Sequence, residues 1–422
     1  MIDKNGNEIT GSQVFNKTAE RSDTIEFEYR DLECLSKNGI VVSWVDPAMG
    51  MNFVSEAYTF VTTYPDYLVL QDQSNPVNSE TNPYLIYCAK ALDQIRESDY
   101  LAKGYWFKQM ADIDLDPNVY HSDFNTLDTG WKPFGEMTEG SDPILFIGNY
   151  DGNGKTISNL TCNTTDIEDE NICPSLFGAI LNGSVSNLTL ENIDINGGSG
   201  VAGIVSYAES TNLTNCHVSG KINGTDHIGG LVAFLTSGNI TDCDSDNLII
   251  RGSSVVGGLV GHFGMSEDYH HIVATMNNCH SDNIDIEVLT EDEDHIGDIG
   301  NVGGIVGINC GKITNCYSSG KVISNKCNIS GVVGQNGYYD TVYSPGGDYY
   351  YGNVESARTS CEVKGYDYVA GIIANNECGD FDYDNLYFDG DIEPDFIYEP
   401  DPSAVPPYDP WAKNRIVIAM PA

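Results

Sequence analysis

One short motif recurs along the chain and limits the folds that it can adopt. It is a glycine, often one of a pair, set between aliphatic residues, as in the run VGGLVG from Val256 to Gly261. The marker glycines of successive copies lie 25, 27, 28, 46, 27 and 40 residues apart, which gives a period near 26 with two longer members. They are Gly178, Gly203, Gly230, Gly258, Gly304, Gly331 and Gly371. Such a period indicates a structural repeat.

The residues between the markers favour strands over helices. They are rich in β-branched side chains, alternate with a period of two, and are interrupted by Gly, Asn or Asp every six to nine residues. We therefore predict an all-β fold, a right-handed parallel β-helix in which each repeat forms one coil. The marker glycines would have special backbone angles or face a crowded interior.

Cysteines define a second repeating position, about a dozen residues after most markers. They are Cys216, Cys243, Cys279, Cys316 and Cys361. Cysteine is small and apolar, so the pattern predicts a buried ladder along the solenoid interior. A column of disulfides is disfavoured because stacked parallel side chains point the same way. Of the remaining cysteines, Cys310 and Cys327 are the best placed for a bridge, and we expect mostly free thiols elsewhere.

The motifs also resemble a known family. Gly258–Gly261, Gly304–Gly307 and the run from Gly311 to Val322 are similar to GLUG-motif repeats, which occur in surface and adhesin-like proteins of bacteria and archaea. The resemblance covers roughly residues 84 to 390 and implies a β-solenoid. It implies no particular activity, because these repeats are mostly accessory modules. Three earlier segments resemble the usual lead-in to such repeats: Asp112–Leu115, Trp131–Gly135 and Tyr150–Leu160.

The sequence predicts four regions. Residues 1–80 form a small N-terminal β-rich unit, and residues 81–145 hold a capping helix, from about Tyr84 to Glu97, with the first coils. Residues 146–393 form the parallel β-helix. Residues 394–422 are a Pro-rich extended tail, in which Arg415 to Met420 would add a short edge strand.

Charge excludes two classes of partner. The chain has 62 acidic and 20 basic residues, a net charge of −42, and such a surface repels both nucleic acid and anionic lipid. No segment approaches the ~20 apolar residues of a membrane span, so we predict no membrane insertion. The first residues lack the pattern of a signal sequence. We expect an extracellular or cell-surface location, with a virion as the alternative.

Enzyme signatures are missing from the sequence. It has no HExxH, GxSxG, phosphate-binding loop or dinucleotide fingerprint. Pairs of carboxylates are abundant, but 62 acidic residues make chance clusters nearly certain. We therefore assign no catalytic residue and favour a non-enzymatic role, leaving catalysis open.

Two lengthened repeats give the best functional signal. The marker-to-cysteine distance is 12 or 13 residues in three ordinary coils, but 21 after Gly258 and 30 after Gly331. Both insertions would leave the solenoid at one corner, ~10 Å apart, and loops on one side of a solenoid commonly form its binding face. Tyrosines there suit sugars or a protein partner. The candidate ligand-binding residues are Tyr269, His270, His271, Tyr338, Tyr339, Tyr343, Tyr349, Tyr350 and Tyr351.

Asp380, Asp382 and Asp384 alternate along one predicted strand face. They are weak candidates for calcium, the only cofactor considered, and a solvated face is the simpler interpretation.

Our prediction is an adhesin-like protein that binds a glycan or protein on a host or neighbouring cell surface. The alternatives are a polysaccharide-cleaving β-helix of the phage tail-spike type, or a structural subunit of a surface filament or virion.

Overall fold

The computed structural model describes most of the chain. The described residues are 37–40, 43–46, 51–54, 58–61, 65–137, 143–164, 174–264, 273–290, 295, 298–340, 348–394 and 415–417. The chain divides into two compact units, Met1–Asp66 and Tyr67–Ala422. The first unit contains two antiparallel strand pairs. They are Lys37–Ile40 with Tyr58–Val61 and Ser43–Asp46 with Met51–Val54.

The second unit is a parallel β-helix, as the repeat predicted. One ordinary coil passes in order through Asp226–Gly229, Val232–Leu235, Gly238–Thr241 and Asp244–Gly252. Each of these strands pairs in parallel with its counterpart in the next coil. Successive coils therefore build four columns of stacked strands, which we name A, B, C and D in this order.

Columns A and B flank the marker glycines. Column A comprises Ser199–Ala202, Asp226–Gly229, Val256–Gly257, Ile299–Gly303, Cys327–Ser330 and Asp367–Ala370. Column B comprises Phe177–Leu181, Val205–Glu209, Val232–Leu235, Val260–Phe263, Val306–Asn309, Val333–Asn336 and Ile373–Asn376. At its last strand, column B also takes the antiparallel strand Arg415–Val417, in the segment where an edge strand was predicted.

Columns C and D follow along each coil. Asn149–Ser158 and Ser184–Asn196 each run through both columns. Column C continues with Thr211–Thr214, Gly238–Thr241, Ala274–Asn277, Lys312–Thr314, Asn353–Val354 and Asp380–Phe381. Column D continues with His217–Asn223, Asp244–Gly252, His280–Val288, Cys316–Ser324, Ala357–Thr359, Glu362–Gly365, Leu386–Phe388 and Asp391–Pro394.

The core is the interior of these coils. Leu213, Ile240, Met276, Ile313 and Val354 occupy one paired position in successive coils, and all of them are fully buried. Corners between columns C and D use residues with positive φ, where Asn and Asp are tolerated best. These are Asn187, Asn215, Asp242, Asn278 and Asn315.

Four of the five predicted cysteines form the interior ladder. Cys216, Cys243, Cys279 and Cys316 are buried at equivalent positions, and the backbone N–H of Cys216 donates to Sγ of Cys243 at 3.4 Å. The placement of Cys361 in this ladder was wrong. In the next coil it is Ala357, at an earlier position than Cys361, that pairs with Cys316. Cys361 is buried in the short link between the strands Ala357–Thr359 and Glu362–Gly365.

Cys310 and Cys327 do not form the predicted bridge. Both are buried free thiols, and they lie at different corners of the coil. Cys310 follows the column B strand Val306–Asn309, whereas Cys327 begins a column A strand.

The predicted helix begins later than expected. Tyr84–Ile86 is a strand, and it pairs in parallel with Trp106–Gln109. Val69–Leu70 covers its other edge by antiparallel pairing, which leaves that edge unavailable to another chain. The α-helices Ala89–Asp93 and Ser98–Leu101 flank the 3-10 helix Gln94–Arg96. None of the helices in the described ranges is long and apolar enough to cross a membrane.

The first coils contain further short strands. They are Ile113–Asp114, Asn125–Thr126, Gly130–Trp131 and Thr161–Asn163. Between Asp151 and Lys155 the strand Asn149–Ser158 contains a bulge. Asn153 and Gly154 have the positive φ values that this bulge requires.

Candidate functional site

Both insertions predicted from spacing lie at the corner between columns B and C. The first falls between the strands Val260–Phe263 and Ala274–Asn277. The second falls between Val333–Asn336 and Asn353–Val354, two coils further along.

A third insertion, which was not predicted from the sequence, lies at the corner between columns D and A. It separates His280–Val288 from Ile299–Gly303. The signal was present, because Cys279 and Gly304 are 25 residues apart whereas the same interval is 14 or 15 residues in ordinary coils.

The second insertion contains a β-hairpin. Tyr338–Asp340 pairs antiparallel with Asp348–Tyr350, with Tyr338 opposite Tyr350 and Tyr339 opposite Tyr349. We call residues 338–351 the tyrosine hairpin. Because residues alternate between the two faces of a strand, its tyrosines divide into an inner and an outer group.

The inner tyrosines pack on the solenoid and hold the hairpin in place. Tyr350 is 7% exposed and forms a small apolar cluster with Val255, Ile308 and Cys310. Tyr338 packs against this cluster, and its ring centroid lies 6.3 Å from that of Tyr350. These two residues, which were ligand-binding candidates in the sequence, therefore anchor the hairpin.

Cys378 fixes the base of the hairpin from the next coil. Its thiol donates to the backbone carbonyl of Tyr350, with Sγ and O 3.2 Å apart, and contacts the carbonyl of Tyr338 at 3.6 Å. Burial raises the pKa of this thiol to about 12, with a further contribution from the negative charge of Glu377. The thiol thus remains protonated and able to donate at neutral pH.

The outer tyrosines face solvent. Tyr349 is 38% exposed and Tyr351 is 49% exposed. Their rings stack at 27° with centroids 6.4 Å apart. Together they form an aromatic surface on the outside of an anchored hairpin.

Several candidate residues lie outside the described part of the chain. Tyr269, His270 and His271 belong to the undescribed segment 265–272, and Tyr343 belongs to 341–347. For Tyr339 only the strand position is described. The structure thus brings together Tyr338, Tyr349, Tyr350 and Tyr351, and it leaves the other five candidates as predictions.

His262 lies in the column B strand that leads into the first insertion. It points outward from column B but is only 5% exposed, and its Nε2 has no hydrogen-bond partner in the described structure. Its ring stands 6.1 Å from that of Tyr338 and is nearly parallel to that of His227 at 5.8 Å. Burial and the nearby His227 lower the pKa of His262 to about 3, so the side chain is neutral at physiological pH.

An aromatic row therefore leads from the open surface to the hairpin. His227 stacks on Phe234 with ring centroids 4.3 Å apart, and both are partly exposed. Phe234 in turn lies 6.2 Å from His262. Column B supplies Phe234 and His262, which are paired in successive strands, and column A supplies His227.

Asp380, Asp382 and Asp384 do not share a strand face. The strand ends at Phe381, and Tyr383–Asn385 is a 3-10 helix. Asp382 caps this helix by accepting from the backbone N–H of Asp384 at 3.1 Å and from Nδ2 of Asn385 at 2.8 Å. Within the residues that the structure describes, no three His, Cys, Asp or Glu side chains are grouped to hold a metal ion.

Comparison with known proteins agrees with the repeat architecture. Residues 299–323 match the model of the GLUG motif. Over 117 residues, 26% of this chain, the sequence is 37% identical to a protein of Evansella cellulosilytica described as a Gly-rich membrane protein. Over 141 residues, 33% of this chain, it is 30% identical to halomucin of Haloquadratum walsbyi. The matches span 11% and 1% of the lengths of these relatives.

One solved structure is also similar. It is the crystal structure described as that of an immunoglobulin A1 protease from Bacteroides ovatus, with a TM-score of 0.45 and 20% identity over 74% of this chain and 76% of that one. The repeating marker glycines, the coils that they build and the match at residues 299–323 lead to one conclusion. The chain carries a GLUG motif at residues 299–323 and folds as a parallel β-solenoid.

Proposed function

We propose that this protein is a non-enzymatic, adhesin-like surface protein that binds a glycan or protein partner through the tyrosine hairpin. The observation that carries the proposal is the exposed, stacked pair Tyr349 and Tyr351. Tyrosine offers a large apolar ring with a polar tip and loses little conformational entropy on binding.

The anchoring of the hairpin supports the same role. Tyr350 is buried against Val255, Ile308 and Cys310, and Cys378 bonds to the hairpin base. A surface fixed before binding loses less entropy when the ligand arrives. Insertion of the hairpin at a corner leaves the coils above and below it intact, which is how repeat proteins commonly carry binding loops.

A surface location fits the relatives. One of them is described as a membrane protein, and the net charge of −42 suits a surface that remains in solvent. Under this proposal, the solenoid holds the hairpin and contributes no catalytic group.

A binding experiment tests the proposal. The full chain is screened on a glycan array and by pull-down from cell-surface extract, and the retained glycan or protein is then titrated. We expect the double variant Tyr349→Ala, Tyr351→Ala to weaken binding at least tenfold, because a good aromatic anchor contributes ~1–3 kcal/mol. Tyr387→Ala is the matched control, since Tyr387 is 53% exposed on column D, away from the hairpin.

Two results would count against the proposal. Unchanged binding in the double variant would remove the hairpin from the interface. Release of reducing sugar from a retained polysaccharide would show catalysis and favour the polysaccharide-cleaving alternative.

A further inference from the structure

A second surface feature lies on a different column and in earlier coils than the tyrosine hairpin. It is a cleft of about 670 Å³ on the outer face of column D, near the N-terminal end of the solenoid. Its floor comes from four successive coils and includes Thr161, Asn192, Asp194, Lys221 and Ile249. The loop from Asp116 to Thr129 supplies one wall.

A largely buried arginine holds the wall in place. Arg96 pairs through Nε with Asp93, and its guanidinium lies over the rings of Trp131 at 4.2 Å and Phe124 at 4.9 Å. Oδ2 of the same Asp93 accepts from the hydroxyl of Tyr120 at 2.8 Å. The loop is thereby fixed to the helical segment beneath it.

A buried asparagine side chain also holds the loop from Asp116 to Thr129 in its conformation. Asn125 is fully buried, and its Nδ2 donates to the carbonyls of Leu115 and Tyr120 at 2.9 and 2.8 Å. The wall therefore has its shape before any ligand arrives, which favours binding.

The floor is equally ordered. Asn159 and Asn192 occupy positive-φ positions in successive coils, and Nδ2 of Asn192 donates to Oδ1 of Asn159 at 2.6 Å. Nδ2 of Asn159 donates in turn to Asp114 at 2.8 Å. Hydrogen bonds along this column hold the amides in fixed orientations above a continuous sheet.

The chemistry of the cleft favours a neutral, hydroxyl-rich ligand. Six of its lining residues are asparagines, and each amide can both donate and accept, as sugar hydroxyls do. Three aspartates against the one lysine make the cleft unfavourable for anions. Leu127, which is 65% exposed, and Ile249 offer apolar surface for the C–H face of a sugar ring.

We infer that this cleft is a binding site for a neutral oligosaccharide, separate from the tyrosine hairpin. The preformed wall and floor fix its shape, the amides supply paired donors and acceptors, and the volume lies within the range of small-ligand sites.

The test uses residues at matched positions inside and outside the cleft. Lys221 and Lys321 occupy the same paired position of column D, three coils apart, and only Lys221 lines the cleft. We expect Lys221→Trp to fill the cleft and reduce binding at least tenfold, whereas Lys321→Trp binds as the unchanged chain does. Both variants place an aromatic residue on a strand surface that tolerates it.

A second pair tests the amides. Asn192 and Asn283 both adopt positive φ on column D, and Asn283 lies outside the cleft. Glycine keeps this backbone and removes the amide, so Asn192→Gly should weaken binding several-fold and Asn283→Gly should not. The probe is an array of neutral and anionic oligosaccharides, followed by calorimetric titration with the glycan that is retained best.

The outcomes are distinct. Three results together support the site. The unchanged chain retains neutral glycans, Lys221→Trp loses this binding, and the hairpin variant Tyr349→Ala, Tyr351→Ala keeps it. The inference is overturned if no neutral glycan is retained, if Lys221→Trp binds normally, or if the signal disappears with the hairpin variant. In the last case, the hairpin is the glycan site, so the two proposals fail independently.

Discussion

A Cβ atom on Gly258 would lie 2.1 Å from the backbone carbonyl oxygen of Gly304, the marker glycine of the next coil. The same relationship joins Gly230 to Gly258 and Gly304 to Gly331, again at 2.1 Å. None of these glycines has the positive φ that would itself exclude a side chain. The motif recurs because successive coils approach too closely at this corner for any side chain.

The first prediction concerns this crowding. Gly258→Val and Gly304→Val should each destabilise the protein by about 1–3 kcal/mol or more, because backbone atoms of the next coil must move. Gly198→Ala is the control, since a Cβ there meets no atom within 4 Å. Thermal or urea denaturation gives the measurement. Valine variants as stable as the control would contradict this account of the motif.

The second prediction concerns the interior cysteines. Cys216, Cys243, Cys279 and Cys316 should resist thiol reagents in the folded protein and react after denaturation, because thiolate is the reactive form and water cannot reach them. The side-chain thiol of Cys216 and burial raise the pKa of Cys243 well above its ordinary value. Half-buried Cys88 should react first among the described cysteines. Mass spectrometry of the labelled peptides shows which cysteines have reacted. Rapid labelling of these four cysteines in the folded protein would contradict their burial in an interior ladder.

The third prediction concerns pH. Burial lowers the pKa of His262 to about 3 from an ordinary value of 6.5. Below about pH 6.5 the imidazole of His262 is therefore protonated in the unfolded chain but not in the folded chain. The free energy of unfolding consequently falls as the pH is lowered below about 6.5. His262→Phe removes this effect, so between pH 7 and pH 4 the variant should lose roughly 3 kcal/mol less than the unchanged chain. Equal losses in urea titrations at both pH values would show that His262 is not shielded.

His217 provides a contrast of opposite sign. Its hydrogen bond to Asp244 raises its pKa above the ordinary value, against a smaller effect of burial. The hydrogen bond of His217 therefore contributes fully to stability below about pH 6.5, and this contribution disappears as the pH rises through the raised pKa of His217. His217→Gln should lower stability at pH 5.5 more than at pH 8.5 in the same titrations.

The fourth prediction separates anchoring from binding within the hairpin. Tyr350→Ala should cost about 3 kcal/mol or more of stability, because it empties a buried apolar cluster. Tyr349→Ala and Tyr351→Ala should change stability by about 0.5 kcal/mol or less, since both side chains face solvent. Urea unfolding measures all three. A Tyr350 variant as stable as the other two would mean that the hairpin is not anchored as described.

The sequence by itself determined the solenoid. Each marker glycine lies against the backbone of the next coil, and this contact occurs once per coil. The interior cysteines occupy a buried position that repeats with the same period. Repetition makes such local signals reliable, because each coil meets only its neighbours and the same packing recurs. The spacing after Gly258 and Gly331 also located both insertions at one corner.

The tertiary structure alone decided what lies within and around those insertions. Sequence could not separate anchoring Tyr350 from exposed Tyr349, because that division depends on antiparallel pairing inside an unrepeated segment. It misplaced Cys361 for the same reason, since the strand after the hairpin starts at a position fixed by pairing with Lys312. The cleft on column D joins a loop and four coils that are distant in sequence. Periodicity specifies repeated contacts, and contacts made only once are fixed by packing in three dimensions.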